Sequence, residues 1–88
     1  MAKLKEAEKT LKEQEAAAYE DPELSDKARD DGNKLFKAGD FAGSVKSYTE
    51  AIKRNPKDAR GYTNRATAYT KLLAFNEALK DAETAIKV

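Results

Sequence analysis

Apolar residues in this chain fall three and four positions apart over most of its length, the spacing of one helical face. Between residues 41 and 54 they are Val45, Tyr48 and Ile52; between 76 and 87 they are Leu79, Ala82 and Ile86, and both sets are expected to point inward. The opening stretch "AKLKEAEKTLKEQEAAAYE" (2–20) is built from strong helix formers, yet its apolar stripe is thin: Leu4, Ala7, Leu11 and Ala18. Glu8 and Lys12 make a favourable pair one turn apart, whereas Lys5 and Lys9 repel. So narrow a stripe fits a linker or docking helix better than a coiled coil.

Punctuation divides the rest. Asp21 is placed to cap a second helix, with Pro22 in the first turn where its missing N–H costs nothing. That helix should run to about residue 37, and "AGD" (38–40) should break it. Helices are expected over 41–54, 59–73 and 76–87, with "NPKD" (55–58) as a turn, because the residue before a proline avoids helical geometry.

One residue resists this pattern. Gly32 lies in the middle of the second helix, where glycine costs roughly 1 kcal/mol relative to alanine. A comparison of the two halves explains it. Phe41 and Phe75 are thirty-four positions apart, as are Ala51 and Ala85, Ile52 and Ile86, Lys53 and Lys87, and Lys37 and Lys71. Helix–turn–helix units at that period are the signature of tetratricopeptide (TPR) repeats. In that register Gly32 pairs with Ala66, Ser44 with Ala78, and Ala51 with Ala85, all small. Gly32 is thus expected where the partner helix of its own repeat approaches closely. The fold class is all-α: a charged N-terminal helix (2–20), a first repeat (21–58) and a second (59–88).

Composition narrows the chemistry. Seventeen Lys and Arg against sixteen Asp and Glu leave a formal net charge of +1, which argues against a general nucleic-acid or anionic-membrane binder. No apolar run approaches the ~20 residues of a membrane span, and no secretory h-region opens the chain. A soluble, cytoplasmic protein is expected. Cysteine and histidine are absent, which removes disulfides, thiol nucleophiles, histidine bases and the usual zinc sites. The remaining carboxylates, lysines and tyrosines read as solvated helix faces, so neither an enzyme nor a cofactor-dependent protein is expected.

Four stretches are more specific than a bare period: "AEKTLKEQEAAAYEDPEL", "GNKLFKAGDF", "YTEAIKRNPKDARGYTNRA" and "YTKLLAFNEALKDAETAI". Together they resemble the third TPR domain of the Hop (stress-inducible) co-chaperone family, with the charged helix that precedes it, over essentially the whole chain. The resemblance implies an adaptor that holds the extreme C-terminus of heat-shock chaperones, mainly the 70-kDa one and also the 90-kDa one. That tail ends in Glu-Glu-Val-Asp. Its terminal residue presents two carboxylates together, so recognition needs cations and amide donors converging from neighbouring helices.

The resemblance places those donors at Arg29 and Asn33 on the first repeat's leading helix, and at Asn64 on the second's. Arg29 and Asn33 are four apart and share a face, roughly opposite the one Gly32 and Leu35 bury. Phe36, Thr67, Thr70 and Lys71 are expected further along the groove, against upstream residues of the peptide. Arg65 is expected to join the repeats rather than bind ligand. Arg29 stands where such clamps often have lysine; it keeps the charge and adds a planar fork. The family's clamp also draws two basic residues from a third repeat, and this sequence stops at Val88, so a half-site is expected. The competing expectation is a structural module with an incomplete clamp. Two copies would then pair through Leu72, Leu73, Leu79 and Ile86, the apolar surface a third repeat would cover.

Overall fold

The computed structural model describes residues 18–88; the expected N-terminal helix therefore lies, up to residue 17, outside the described residues. Four helices follow in order: α1 (Pro22–Lys37), α2 (Phe41–Arg54), α3 (Ala59–Lys71) and α4 (Phe75–Lys87). Consecutive helices pack on one another, α1 on α2, α2 on α3 and α3 on α4, which makes two stacked antiparallel hairpins.

Local chemistry sets the starts. The Asp21 carboxylate accepts the backbone N–H groups of Glu23 and Leu24 (3.1 and 3.2 Å), with Pro22 next in line. Asp40 caps α2 through Gly43 N–H (2.9 Å), and Asp58 caps α3 through Arg60 N–H (3.0 Å). Only α4 begins, at Ala74, without a side-chain cap. The Asp21 N–H also donates to the Arg54 carbonyl (2.7 Å), tying the start of α1 to the end of α2. Tyr19 reinforces that seam: the Arg54 guanidinium lies 3.7 Å from its ring centroid, and its hydroxyl donates to Glu50. This hydroxyl holds the Glu50 carboxyl below the usual carboxylate range.

The apolar core is small: Tyr48, Ala51, Ile52, Ala68 and Ala78. Three polar side chains are buried beside it, each with a partner. Ser25 donates to the Ala51 carbonyl (2.7 Å), Ser44 to the Phe41 carbonyl (2.8 Å), and Asp81 accepts from Arg65. Gly32 is buried against Tyr48, and a methyl group added to it would lie 2.5 Å from Tyr48 Cε1. The close approach expected at Gly32 is what the fold shows.

Two expectations are corrected. The third helix ends at Lys71, leaving Leu72 and Leu73 in the turn, and the fourth starts one residue early. More telling, Leu79, Ala82 and Ile86 do not point inward: Leu79 is 59% and Ile86 86% exposed, while Ala78 and Asp81 are the buried pair on α4. Periodicity finds an apolar stripe but not which side has a neighbour. Helix α4 packs mainly on α3, and the large side chains of its apolar stripe, Leu79 and Ile86, stay exposed.

Candidate ligand-binding groove

Helices α1 and α3 bring their inner faces together. Asn33, near the middle of α1, lies beside Asn64 of α3, whose Nδ2 is 3.5 Å from Asn33 Oδ1. The same Oδ1 accepts a short hydrogen bond from the Tyr48 hydroxyl (2.6 Å). Burial pushes the Tyr48 phenol up, so the hydroxyl stays a donor. Asn33, Phe36, Tyr48, Asn64 and Thr67 line one hollow of about 170 Å³. Phe36 is held there by an edge-on contact with Phe41, ring centroids 5.1 Å apart.

One turn earlier on α1 stands Arg29, with only 12% of its side chain exposed. Its Nη2 donates to Asp26 (2.8 Å) and its Nη1 to Asp58 (3.2 Å), the residue that caps α3. Arg60 closes the network with two further bonds to Asp58 (2.8 and 3.0 Å). The Asp58 carboxyl is held below the usual carboxylate range, first by the Arg60 side-chain hydrogen bond, then by Arg60 N–H and the nearby charge of Arg60 and Arg29. Arg29 is thus a cation fixed in place one turn before Asn33. Its partners, like those of Asn33, come from both hairpins.

The structure brings Asn33, Asn64, Phe36 and Thr67 to one hollow, leaves Arg29 one turn away on Asp26 and Asp58, and sets Thr70 and Lys71 apart. Thr70 donates to the Ala66 carbonyl (2.9 Å) and lines a second, larger groove of about 560 Å³ between α3 and α4, with Ala66, Ala82 and Ile86. Thr67 borders both hollows. Lys71 is exposed at the end of α3. Two contributors were not anticipated. Tyr48 reads in sequence as core, and its register on the α2 face says nothing of where the hydroxyl ends. Asp58 reads as a turn residue; only the stacking of the second hairpin on the first carries it to Arg29.

Arg65, next to Asn64, turns away from the groove. It grips both carboxylate oxygens of Asp81 (2.7 and 2.6 Å) and donates to Thr49 Oγ1 (3.2 Å), so it joins α3 to α4 and to the first hairpin. Among the described residues no helix is long and apolar enough to cross a membrane, and no cluster of acidic side chains is arranged to hold a metal ion.

Comparison with known proteins agrees with this architecture. A family model described as "TPR repeat" matches residues 32–72. The Hsp70-Hsp90 organizing protein 1 of Glycine max is 57% identical over all 88 residues, and the Heat shock protein sti1 homolog of Schizosaccharomyces pombe is 47% identical over the same span. The chain spans 15% of the length of each of these relatives. Among solved structures, the "TPR2AB-domain:pHSP90-complex of yeast Sti1" superposes with a TM-score of 0.93 at 51% identity, covering 98% of this chain and 33% of that one. The "TPR2B-domain:pHsp70-complex of yeast Sti1" superposes with a TM-score of 0.72 at 48% identity, covering 73% and 51%.

Proposed function

We propose that this chain, a tetratricopeptide-repeat segment homologous to the Hsp70-Hsp90 organizing proteins, binds the acidic C-terminal tail of heat-shock chaperones, mainly the 70-kDa one. The observation that carries the reading is that Asn33 and Asn64, from different hairpins, meet beside one hollow, with the Arg29 cation one turn away on α1. A chain-terminal aspartate offers two carboxylates a few ångströms apart. Arg29 supplies charge and the asparagine amides supply directed N–H donors, and hydrogen bonds to a charged group contribute about 1.5–3 kcal/mol each. Phe36 and Thr67 flank the amides and would meet the residue before the terminal aspartate. Thr70 and Lys71 lie beyond that hollow, where they would meet only a peptide continuing along α3.

Two such sites on one adaptor would raise the local concentration of one chaperone near another, so the module acts by proximity and needs no chemistry of its own. It functions as a non-enzymatic adaptor in the cytoplasm. The solved relatives support this reading, since one is a TPR2AB-domain:pHSP90 complex and the other a TPR2B-domain:pHsp70 complex.

The test is a titration with a peptide ending in Glu-Glu-Val-Asp beside its C-terminally amidated twin. Binding that weakens with salt and is lost on amidation is the expected result; equal binding of both peptides, or of neither, overturns the reading. The exposed apolar side chains Leu72, Leu73, Phe75, Leu79 and Ile86 favour a second reading, a module that pairs with its own copies. Sedimentation at high micromolar concentration separates the two, because a purely monomeric sample excludes self-pairing.

A further inference from the structure

We propose that Tyr48 is a positioning residue for ligand recognition: its hydroxyl fixes the side-chain amide of Asn33 so that the Nδ2 donors face the groove. The inference rests on the tail-binding reading and adds how the amide is aimed.

The argument starts from what Asn33 offers. A planar amide has a carbonyl side and an amino side, and only the amino side can donate to a carboxylate. If the carbonyl faced the ligand, it would repel it. Asn33 Oδ1 receives the Tyr48 hydroxyl at 2.6 Å and the Asn64 amino group at 3.5 Å. With the oxygen held on that side, Nδ2 projects the other way. Among the described residues Nδ2 has no protein acceptor, and Asn33 lines the hollow with Phe36, Tyr48, Asn64 and Thr67. Rotating the amide by half a turn would take away the only acceptor that the buried Tyr48 hydroxyl has among those residues.

Gly32 belongs to the same device. The Tyr48 ring, 2% exposed, lies against the backbone of Gly32, the residue immediately before Asn33. Any side chain at Gly32 would push the ring back and withdraw the hydroxyl from the amide. The second repeat supplies an internal comparison. Thirty-four positions on, Asn33 is replaced by Thr67, Tyr48 by Ala82 and Gly32 by Ala66. Where the amide is missing, the tyrosine that would aim it and the glycine that would admit the ring are missing too.

Tyr48→Phe keeps the ring and removes only the hydroxyl. In this variant the affinity for a peptide ending in Glu-Glu-Val-Asp is expected to fall about tenfold, the size of one lost hydrogen bond to a charged group. Two readouts distinguish aiming from packing. In an Asn33→Ala background, Tyr48→Phe should change the affinity less than twofold, since there is no amide left to aim. In nitrogen-15 spectra of the free protein, the Asn33 amino group should lose the distinct shifts of a fixed rotamer when Tyr48 is changed.

Unchanged affinity in Tyr48→Phe overturns the proposal, as does an equal loss with and without Asn33. Should the unmodified protein bind no tail, the tail-binding reading fails, and the spectra alone then decide whether Tyr48 fixes the amide. An unchanged Asn33 signal in Tyr48→Phe overturns it there.

Discussion

Leu73 carries the left-handed backbone (φ 61°) that Gly39 (φ 86°) carries thirty-four positions earlier. The hydrogen bonds around them match one for one: Gly39 N–H to Phe36 and Asp40 N–H to Leu35 in the first hairpin, Leu73 N–H to Thr70 and Ala74 N–H to Tyr69 in the second. Both are Schellman endings, which demand a left-handed residue just past the helix. A non-glycine residue there costs roughly 1–2 kcal/mol, whereas glycine costs roughly 0.5–1 kcal/mol in lost freedom. Leu73 is 74% exposed, so little packing is at stake. Leu73→Gly is therefore expected to stabilise the fold by about 0.5–1 kcal/mol, seen as a higher urea midpoint with an unchanged slope. A lower midpoint would mean that the leucine side chain contributes more than its exposure suggests.

Gly32 presents the opposite case. Alanine there gains about 1 kcal/mol in helix propensity but drives a methyl to 2.5 Å from a rigid ring. Overpacking of this kind costs about 1–3 kcal/mol. Gly32→Ala should lose stability on balance, and more than Gly61→Ala, whose methyl would meet Ile52 Cγ1 at 2.9 Å. Denaturant unfolding of the two variants side by side tests the ranking.

These two glycine positions mark how far sequence reasoning reaches. The start of α1 was legible because the Asp21 carboxylate acts on backbone N–H groups two and three residues away. The close approach at Gly32 was legible because the repeat put Ala66 at the matching step. The inward face of α4 was misread because spacing cannot say that Ala78 and Asp81, rather than Leu79 and Ile86, meet α3. The partners of Arg29 and Asn33 were hidden for a related reason. Asp58 and Tyr48 reach them only after the chain has turned back, 29 and 15 residues later.

The Arg29 network makes a charge prediction. On the proposed reading, an acidic tail competes with Asp26 and Asp58 for the Arg29 guanidinium. Asp26 is half exposed, and a pair of this kind is worth about 0.2–1 kcal/mol. Asp26→Asn should thus tighten binding of a Glu-Glu-Val-Asp peptide up to about fivefold. It should also steepen the salt dependence, because a freer cation meets the ligand. Calorimetric titration at two ionic strengths would show it; weaker binding would indicate that Asp26 holds Arg29 in the geometry the ligand needs.

Acid should loosen the same network. Asp58 in the folded chain titrates below its unfolded value, so its stabilising contribution is complete above the ordinary aspartate range, about pH 4. That contribution is lost as pH falls from there through the depressed folded value, because the unfolded chain takes up the proton first. Asp58→Asn keeps a capping side chain for α3 and removes the titration. Its urea midpoint should fall less than that of the parent between pH 5 and 2.5. Parallel curves would assign the acid sensitivity elsewhere, with Glu50, also depressed, as the next group to replace.

The Arg65–Asp81 pair separates stability from binding. Asp81 exposes 6% of its side chain and Arg65 19%, and the two share a bidentate contact. Removing Arg65 alone leaves a carboxylate in a nearly dry site, which costs about 3–5 kcal/mol. Replacing both with apolar groups of similar volume, Arg65→Met with Asp81→Leu, removes that uncompensated charge and should recover most of the loss. The pair faces away from Asn33 and Asn64, so the double variant should bind tail peptide within about twofold of the parent, well inside one hydrogen bond's worth. Unfolding and peptide titration on the three proteins test both halves. A double variant that is stable but has lost the tail would show that Arg65 reaches the ligand through its neighbour Asn64.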